Sequence, residues 1–530
     1  MKSNNIHYNN IDILSPLIAD YLSAKQEVSP FYSIPSTKAG ILESISEKSP
    51  FPADKRKVLV EQLHAQYQGV NTCAQVTSNI NLLNKSNTYT ITTGHQLNFA
   101  TGPLYTIYKI LSTINAAEQL SKNENINVVP IFWLATEDHD FAEINHCNML
   151  GNKIAWEADA GNACGRISTT PIAEVIENHI KPLVLKFDNG QAILDLLSSS
   201  YNENSTLNKA SIHLYNELFG KHGLVILDAD NDALKKLFAP IIKQELTERK
   251  SQHAVVKQNE LLNELGYKNQ AHARDINLFL LKNGIRDRIT FNNNQFELVH
   301  SKETFSEPEI LALVDSSPAM FSPNVILRPV YQECILPNLA YIGGAGELAY
   351  WLQLKTVFEK YAIDFPALML RNAAVIIEKH QAEKMEKLNV SFQQLFNDEN
   401  KLLANWTKKN SAVEINLNSQ KEELNNTFNA IINKAEQIDP TLKASITGAL
   451  NAQIKTIEGL EKKILKAEKN KHEIALNQLS KLKQQLFPKG SLQERHDNIF
   501  GLVAKYGFHL IDEIKNELNP FETAFTEIKL

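Results

Sequence analysis

The stretch Thr88–His146 leaves this chain few folds to choose from. It opens TYTITTGHQLNFATGPLYTIYKILSTINAAEQL and, after a polar gap, continues VVPIFWLATEDHDFAEINH. Thr88 to Thr93 is β-branched and aromatic, the composition of a half-buried strand, and it predicts a strand that stops at Gly94. Gly102 and Pro103 occupy the N-cap and first-turn positions of a predicted helix, along which Ile107, Ile110, Leu111, Ile114, Ala117 and Leu120 recur at helical spacing. The order is therefore strand, polar loop, helix, strand, polar loop. In an open α/β sheet both loops emerge at the carboxyl ends of parallel strands, where ligands bind in this architecture.

That order gathers chemistry at one mouth. Gly94, His95, Gln96 and Asn98 from the first loop are expected beside Glu137, Asp138, His139 and Asp140 from the second, and unpaired N–H groups at the Pro103 helix start could face an anion there.

The rest of the chain reads as excursions from that core. Residues 1–148 form an N-terminal arm, mostly helical in pattern with prolines as punctuation, followed by the first half of the core. Residues 149–219 read as an insertion, and 220–265 as the core continued. There HGLVILDAD predicts a buried strand ending in Asp228 and Asp230, which either meet a ligand or start the next helix. Residues 266–320 read as a second small insertion with a β-hairpin at the asparagines 292–294. Residues 321–375 complete the core: SPNVILRPVYQ predicts a short strand with Arg328 and Gln332 beyond it, near Asn324. YIGGAGELAYW predicts a second strand–loop–helix junction, with Gly343, Gly344 and Gly346 permitting positive φ and Glu347 opening the helix. Arg328 suits a carboxylate or phosphate, or a structural ion pair. Residues 376–488 are poor in glycine and rich in Lys, Glu, Asn and Gln, with apolar residues at three–four spacing, and predict a long antiparallel helical coiled-coil arm for which a homodimer is the default reading. Residues 489–530 fold back on the core.

Composition excludes several classes. The formal net charge of -6 disfavours nonspecific adhesion to nucleic acid. Cys73, Cys147, Cys164 and Cys334 are scattered without a C-x-x-C pair, so neither disulfides nor a structural zinc is expected. No stretch approaches the ~20 apolar residues that cross a bilayer, and a soluble, cytoplasmic protein is expected. There is no Walker-type loop, G-x-S-x-G elbow or H-E-x-x-H. Asp138 and Asp140 would point apart if extended, so no metal is predicted.

Three blocks, GHQLNFATGPLYTIYK, PIFWLATEDHDFAEINH and FSPNVILRPVYQECILPNLAYIGGAGELAYWLQL, together with the QER of Gln493–Arg495, resemble the bacillithiol-biosynthesis cysteine-adding family, BshC. The resemblance spans nearly the whole chain. It implies an α/β Rossmann-like parallel sheet core of the class I synthetase type with connective-peptide-like insertions, and a ligase adding L-cysteine to the amine of glucosaminyl-malate. A carboxylate is a poor electrophile, so such a ligase must activate it, which makes ATP or another nucleotide plausible. Gly94, His95, Gln96, Asn98, Gly102 and Tyr105 would then hold a phosphate or carboxylate. Asp138, His139 or Asp140 would bind or deprotonate the attacking amine, beside Glu137, and Arg328 would anchor malate or a phosphate with Asn324, Gln332, Gly343, Gly344, Gly346 and Glu347. Two other readings are an RNA-charging enzyme, against which the missing K-M-S-K-S-type loop counts, and a noncatalytic coiled-coil scaffold with a vestigial nucleotide fold.

Overall fold

The computed structural model describes residues 2–530 except 124, 159–162, 203–204 and 283. It divides into two units, Met1–Ile376 with Gln493–Ile528, and Ile377–Leu492 with Lys529–Leu530.

The first unit opens on a strand, β1 (Lys2–His7), which helical periodicity in the arm did not announce; the short helices follow. Then come β2 (Thr88–His95), a helix over Leu104–Ser121 and β3 (Asn127–Leu134). The strand does not stop at Gly94, because Gly94 and His95 still pair with Trp133 and Leu134. The helix begins one residue later than its proline suggested. Gly102 takes φ +66°, a Cβ there would lie 2.7 Å from Asn98, and Pro103 is the N-cap. Two N–H groups of its first turn are already engaged: Leu104 N–H donates to the Asp497 carbonyl at 2.8 Å and Thr106 N–H to that of Pro103 at 3.0 Å.

A hairpin of β4 (His146–Met149) and β5 (Asn152–Ala155) leads into the largely helical first insertion, and β6 (Val225–Asp228) returns to the core. The second insertion carries β7 (Leu278–Lys282), β8 (Ile285–Asn292), β9 (Gln295–Leu298) and β10 (Thr304–Phe305), with the asparagine turn at positive φ on Asn293 and Asn294. The expected core strand at 321–328 belongs here instead: β11 (Phe321–Pro323) pairs antiparallel with β7, closing the sheet β10-β9-β8-β7-β11. Beyond it Asn324 Oδ1 accepts the N–H groups of Ile326 and Leu327, and Pro329 sits in the first turn of a helix over Arg328–Ile335. Arg328 and Gln332 are thus helical, not residues past a strand end.

The chain re-enters the core at β12 (Asn338–Gly343), turns into a helix over Ala345–Trp351, and completes it with β13 (Ala367–Leu370). The core sheet is parallel throughout, in the order β13-β12-β2-β3-β6. A third sheet joins β1 to β14 (Ala373–Ile377) through β15 (Ala524–Lys529). Ile107, Ile110, Leu111 and Ile114 of the Leu104–Ser121 helix are all fully buried, and Leu120 packs with Ile91, Ile342 and Met369. Each such side chain contributes about 1.5–3 kcal/mol relative to exposure. Covering both faces of the central strands explains why they read as continuous apolar or threonine-rich runs.

The second unit is helical. Asn418–Glu436 and Leu442–Lys471 pack side by side, and the ion pairs Lys443–Glu436 (2.9 Å) and Lys421–Glu461 (2.8 Å) fix them antiparallel. The seam is narrower than the sequence stripes implied. Ile431, Ile438, Leu460, Ile464 and Ile474 remain exposed. Among the described residues no helix is long and apolar enough to cross a membrane, and all four cysteines are free thiols.

Candidate functional site

The carboxyl edge of the core sheet opens into a cavity of about 1070 Å³. Reading along the strand order, the edge presents Arg371 after β13, Gly344 after β12, His95 and Gln96 at β2, Thr136 to Asp138 after β3, and Asp228 to Asp230 at β6. Twelve of the residues expected from sequence line it. They are Gly94, His95, Gln96 and Tyr105; Glu137, Asp138 and His139; and Asn324, Arg328, Gly344, Gly346 and Glu347. The two distant stretches therefore share one pocket.

Five expected residues stand elsewhere. Asp140 is exposed, ahead of the short helix Phe141–Ile144. Asn98 is buried behind His95, its amide 2.9 Å from the ring Nε2. Gly102 is buried at the turn before the helix, where its carbonyl accepts from Asn498. Gln332 is fully buried and works through Arg328, whose Nη1 donates to its Oε1 at 3.1 Å. Gly343 closes β12. None of Gly343, Gly344 and Gly346 has positive φ, so backbone freedom is not why they are glycine. At Gly343 a Cβ would lie 3.0 Å from Tyr341 and 3.2 Å from Glu347 Cβ, so close packing accounts for it.

The floor is built on a residue the sequence reading passed over. Lys109, 1% exposed, sends its ammonium to the Gly94 carbonyl at 2.6 Å and to both oxygens of Glu347 at 2.9 Å. Tyr341 Oη and the Gly344 N–H also donate to that carboxylate. Burial alone would raise the Glu347 carboxyl, but Lys109 and these donors hold it down at about 2. His95 is driven the other way from its usual value, to about 3, by burial and by the nearby Lys109 cation; it is a neutral imidazole at physiological pH. A lysine between Tyr108 and Ile110 on an otherwise apolar helix was the sequence signal.

The acidic lining around Glu137 and Asp230 is internally braced. Lys235, fully buried, binds Glu137 and stands 3.4 Å from Asp230, which also takes the guanidinium of Arg166 at 2.7 Å. Burial raises the Glu137 carboxyl while Lys235 opposes it. Asp228 accepts from Thr136 at 2.6 Å and Asn208 at 2.8 Å, beneath the edge rather than in the lining, whereas Asp230 lines the pocket; Asn231 caps the following helix. Asp138 accepts from Gln96 at 2.8 Å, tying the two loops together.

Cations line the same pocket. Arg328 lies 5.7 Å from the ring centroids of Trp133 and Tyr341 and 5.9 Å from that of Trp351, and no carboxylate pairs with it among the described ion pairs. A Cβ on Gly94 would lie 3.8 Å from its Nη1, in ordinary contact, so Gly94 stands directly beside the guanidinium. Arg371 forms a buried two-pronged pair with Glu494, at 2.6 and 3.0 Å, and Arg495 lines the pocket beside it. The second insertion supplies Arg274, Arg286 and Arg288, none of which the sequence reading singled out. Among the described residues no group of three or more His, Cys, Asp and Glu side chains is placed to hold a metal ion. A pocket lined by both carboxylates and guanidinium groups can hold an amine against the former and carboxylates or phosphates against the latter.

Comparison with known proteins agrees with this division. Residues 1–372 match the family profile described as the bacillithiol biosynthesis BshC N-terminal Rossmann-like domain, and residues 374–530 match the BshC C-terminal coiled-coil domain. A Flavobacterium psychrophilum protein is 42% identical over the full length of both chains. One from Cytophaga hutchinsonii is 37% identical over 96% of this chain and 95% of its own. A Bacillus cereus relative is 29% identical over 97% of this chain and 98% of its own. All three are provisionally named cysteine ligase BshC.

Proposed function

The chain belongs to the bacillithiol-biosynthesis BshC family, and from that premise we propose that it is a ligase joining the carboxyl group of L-cysteine to the amine of glucosaminyl-malate, forming an amide. The observation that carries this reading is a pocket lined by both carboxylates and guanidinium groups. Arg328 anchors the malate carboxylates from among its three aromatic rings. Asp138, which among the described residues accepts only from the neutral Gln96 amide and the His139 N–H, holds the amine as an ammonium before it loses its proton. The cysteine carboxylate needs activation before an amine can attack it, and ATP or another nucleotide is the activator in this proposal. His95, His139 and the glycine-flanked loops offer donors to the oxyanion that forms on attack.

The polar lining favours an enzyme over a vestigial scaffold, and the acidic overall charge disfavours an RNA substrate. The test is direct: purified protein, cysteine, glucosaminyl-malate and ATP, with mass spectrometry for the amide. Product formed only with all three supports the ligase, and no product with ATP or any other activated donor refutes it.

The arm is proposed to pair two copies into a homodimer. Ile431, Ile438, Leu460 and Ile464 leave apolar surface on the helical hairpin that a second seam would cover. Light scattering should give twice the chain mass, falling to one chain mass in an I438K/I464K variant.

A further inference from the structure

We propose that Arg274, Arg286 and Arg288 form a second anion subsite in the same pocket, distinct from the Arg328 anchor, and that it takes a polyphosphate chain. The inference deepens the ligase reading and rests on it for its place in the reaction, but its chemistry is visible in the second insertion by itself.

Arg286 and Arg288 are two residues apart on β8, so their side chains leave the same face of the sheet. Phe279 on β7 is the cross-strand partner of Arg288, and the Arg286 guanidinium stacks on its ring at 4.0 Å from the centroid. All three line the cavity, as does Arg274 from the segment ahead of β7. The bonds that orient Arg286 go to neutral acceptors: Ser322 Oγ at 3.1 Å, the Pro323 carbonyl at 2.9 Å and His139 Nδ1 at 3.2 Å. The Nε of Arg288 is buried without a hydrogen-bond partner. Asp287, between them, is committed to the N–H groups of His300 and Ser301 at 2.8 and 2.7 Å. Glu137 and Asp138 sit across from Arg286, but Lys235 and Gln96 already engage them.

None of these three arginines makes an ion pair among the described residues. Burial disfavours the charged Arg286 guanidinium, and an anion with several oxygens bound against it offsets that cost. Guanidinium forks suit phosphate oxygens, and three of them lining one cavity suit a chain of phosphates better than a single carboxylate. The Arg328 anchor, held on a helix rather than on β8 and by a different set of rings, is left for the di-acid. The pocket then accommodates both anions at once.

The test is calorimetric titration of the full-length protein with pyrophosphate, tripolyphosphate, ATP and malate, which needs no turnover and so stands or falls apart from ligase activity. R286Q/R288Q should bind pyrophosphate at least about tenfold more weakly, as expected for losing charge-assisted hydrogen bonds, while malate affinity changes less than about twofold. R328Q should show the reverse pattern. R274Q, in a segment where the structure gives Arg274 only backbone hydrogen bonds, keeps the fold intact and should weaken pyrophosphate alone, so it decides the matter if the double variant fails to fold. Tighter binding of ATP than tripolyphosphate assigns the chain to a nucleotide; equal binding assigns it to a free polyphosphate. Wild-type protein that ignores pyrophosphate at millimolar concentration, or variants that bind it unchanged, would overturn the proposal, as would R328Q and R286Q/R288Q weakening both ligands alike.

Discussion

Arg286 Nη1 lies 3.2 Å from His139 Nδ1, nearer than the Asp138 carboxylate oxygen at 3.7 Å. A guanidinium has no lone pair to offer, so the ring nitrogen must accept and the proton of a neutral His139 resides on Nε2. We propose that His139 therefore acts as an Nε2–H donor rather than as the base that strips the amine. Glutamine can place an amide N–H near the same point. Steady-state ligation should therefore show H139Q within about tenfold of wild type and H139A reduced by about 10²-fold, the range for losing one donor to a developing oxyanion. If H139Q is as impaired as H139A, the donor role is wrong.

The legible and illegible parts of this site separate by distance along the chain. β2, its helix and β3 were readable because local periodicity and turn chemistry suffice for a βαβ unit, and that unit alone places Gly94, His95, Gln96, Glu137, Asp138 and His139 together. The segment before the Arg328 helix reads as a strand because Val325, Ile326 and Leu327 are apolar and partly β-branched, although Pro329 in the first turn is a helix-start signal. Gln332 was drawn into the pocket by sequence proximity, whereas helical geometry turns it inward. Arg286 and Arg288 could be assigned to a hairpin, but nothing local says that the hairpin's sheet lines the pocket. Lys109 and Lys235 were overlooked because a buried lysine is intelligible only once its carboxylate is located, 238 residues away for Lys109.

Glu347 should govern acid stability. Its carboxyl is held near 2 against an ordinary 4.5, so the folded state binds fewer protons than the unfolded chain in that interval. The stabilisation is fully present above about pH 4.5 and is lost as pH falls toward 2. Because the side chain is 37% exposed, screening reduces the contribution to the order of 1–2 kcal/mol. Urea unfolding of wild type and E347Q between pH 5 and 3 should show the variant with a flatter acid dependence. Parallel curves would mean the Lys109 pair does not hold the carboxylate ionised.

Glu333 carries the opposite dependence. It is 7% exposed, accepts from Gln332 and Asn338 at 2.7 and 2.8 Å, and faces the cations Lys48 and Arg328. Burial raises its carboxyl from 4.5 to about 7 despite those partners. Here the folded state binds more protons, so stability declines as pH rises from about 4.5 through 7 and then levels off. E333Q removes a charge that is costly to bury and should gain up to about 3 kcal/mol over wild type at pH 8 but little at pH 5, by urea unfolding. Gln332 links this carboxyl to Arg328, so malate affinity measured on the same variant should lose its pH dependence near neutrality.

Arg371 and Glu494 are 5% and 1% exposed, and the carboxylate also receives the Ala374 N–H at 3.1 Å. The pair joins the end of β13 to the turn that presents Arg495, while the Arg371 guanidinium lies 5.3 Å from the Tyr105 ring centroid at the pocket. Removing one partner leaves the other charge buried and unpaired, which costs about 3–5 kcal/mol, whereas removing both costs less because no orphan charge remains. E494A should therefore be less stable than R371M/E494A in urea unfolding, although the double variant has lost more contacts. Both should bind malate more weakly than wild type, since the Arg495 turn is no longer fixed beside the cavity. If E494A proves as stable as wild type, water reaches this pair and the turn is held by Gln493, whose side chain pairs with both backbone groups of Ile376 at 2.9 and 3.1 Å.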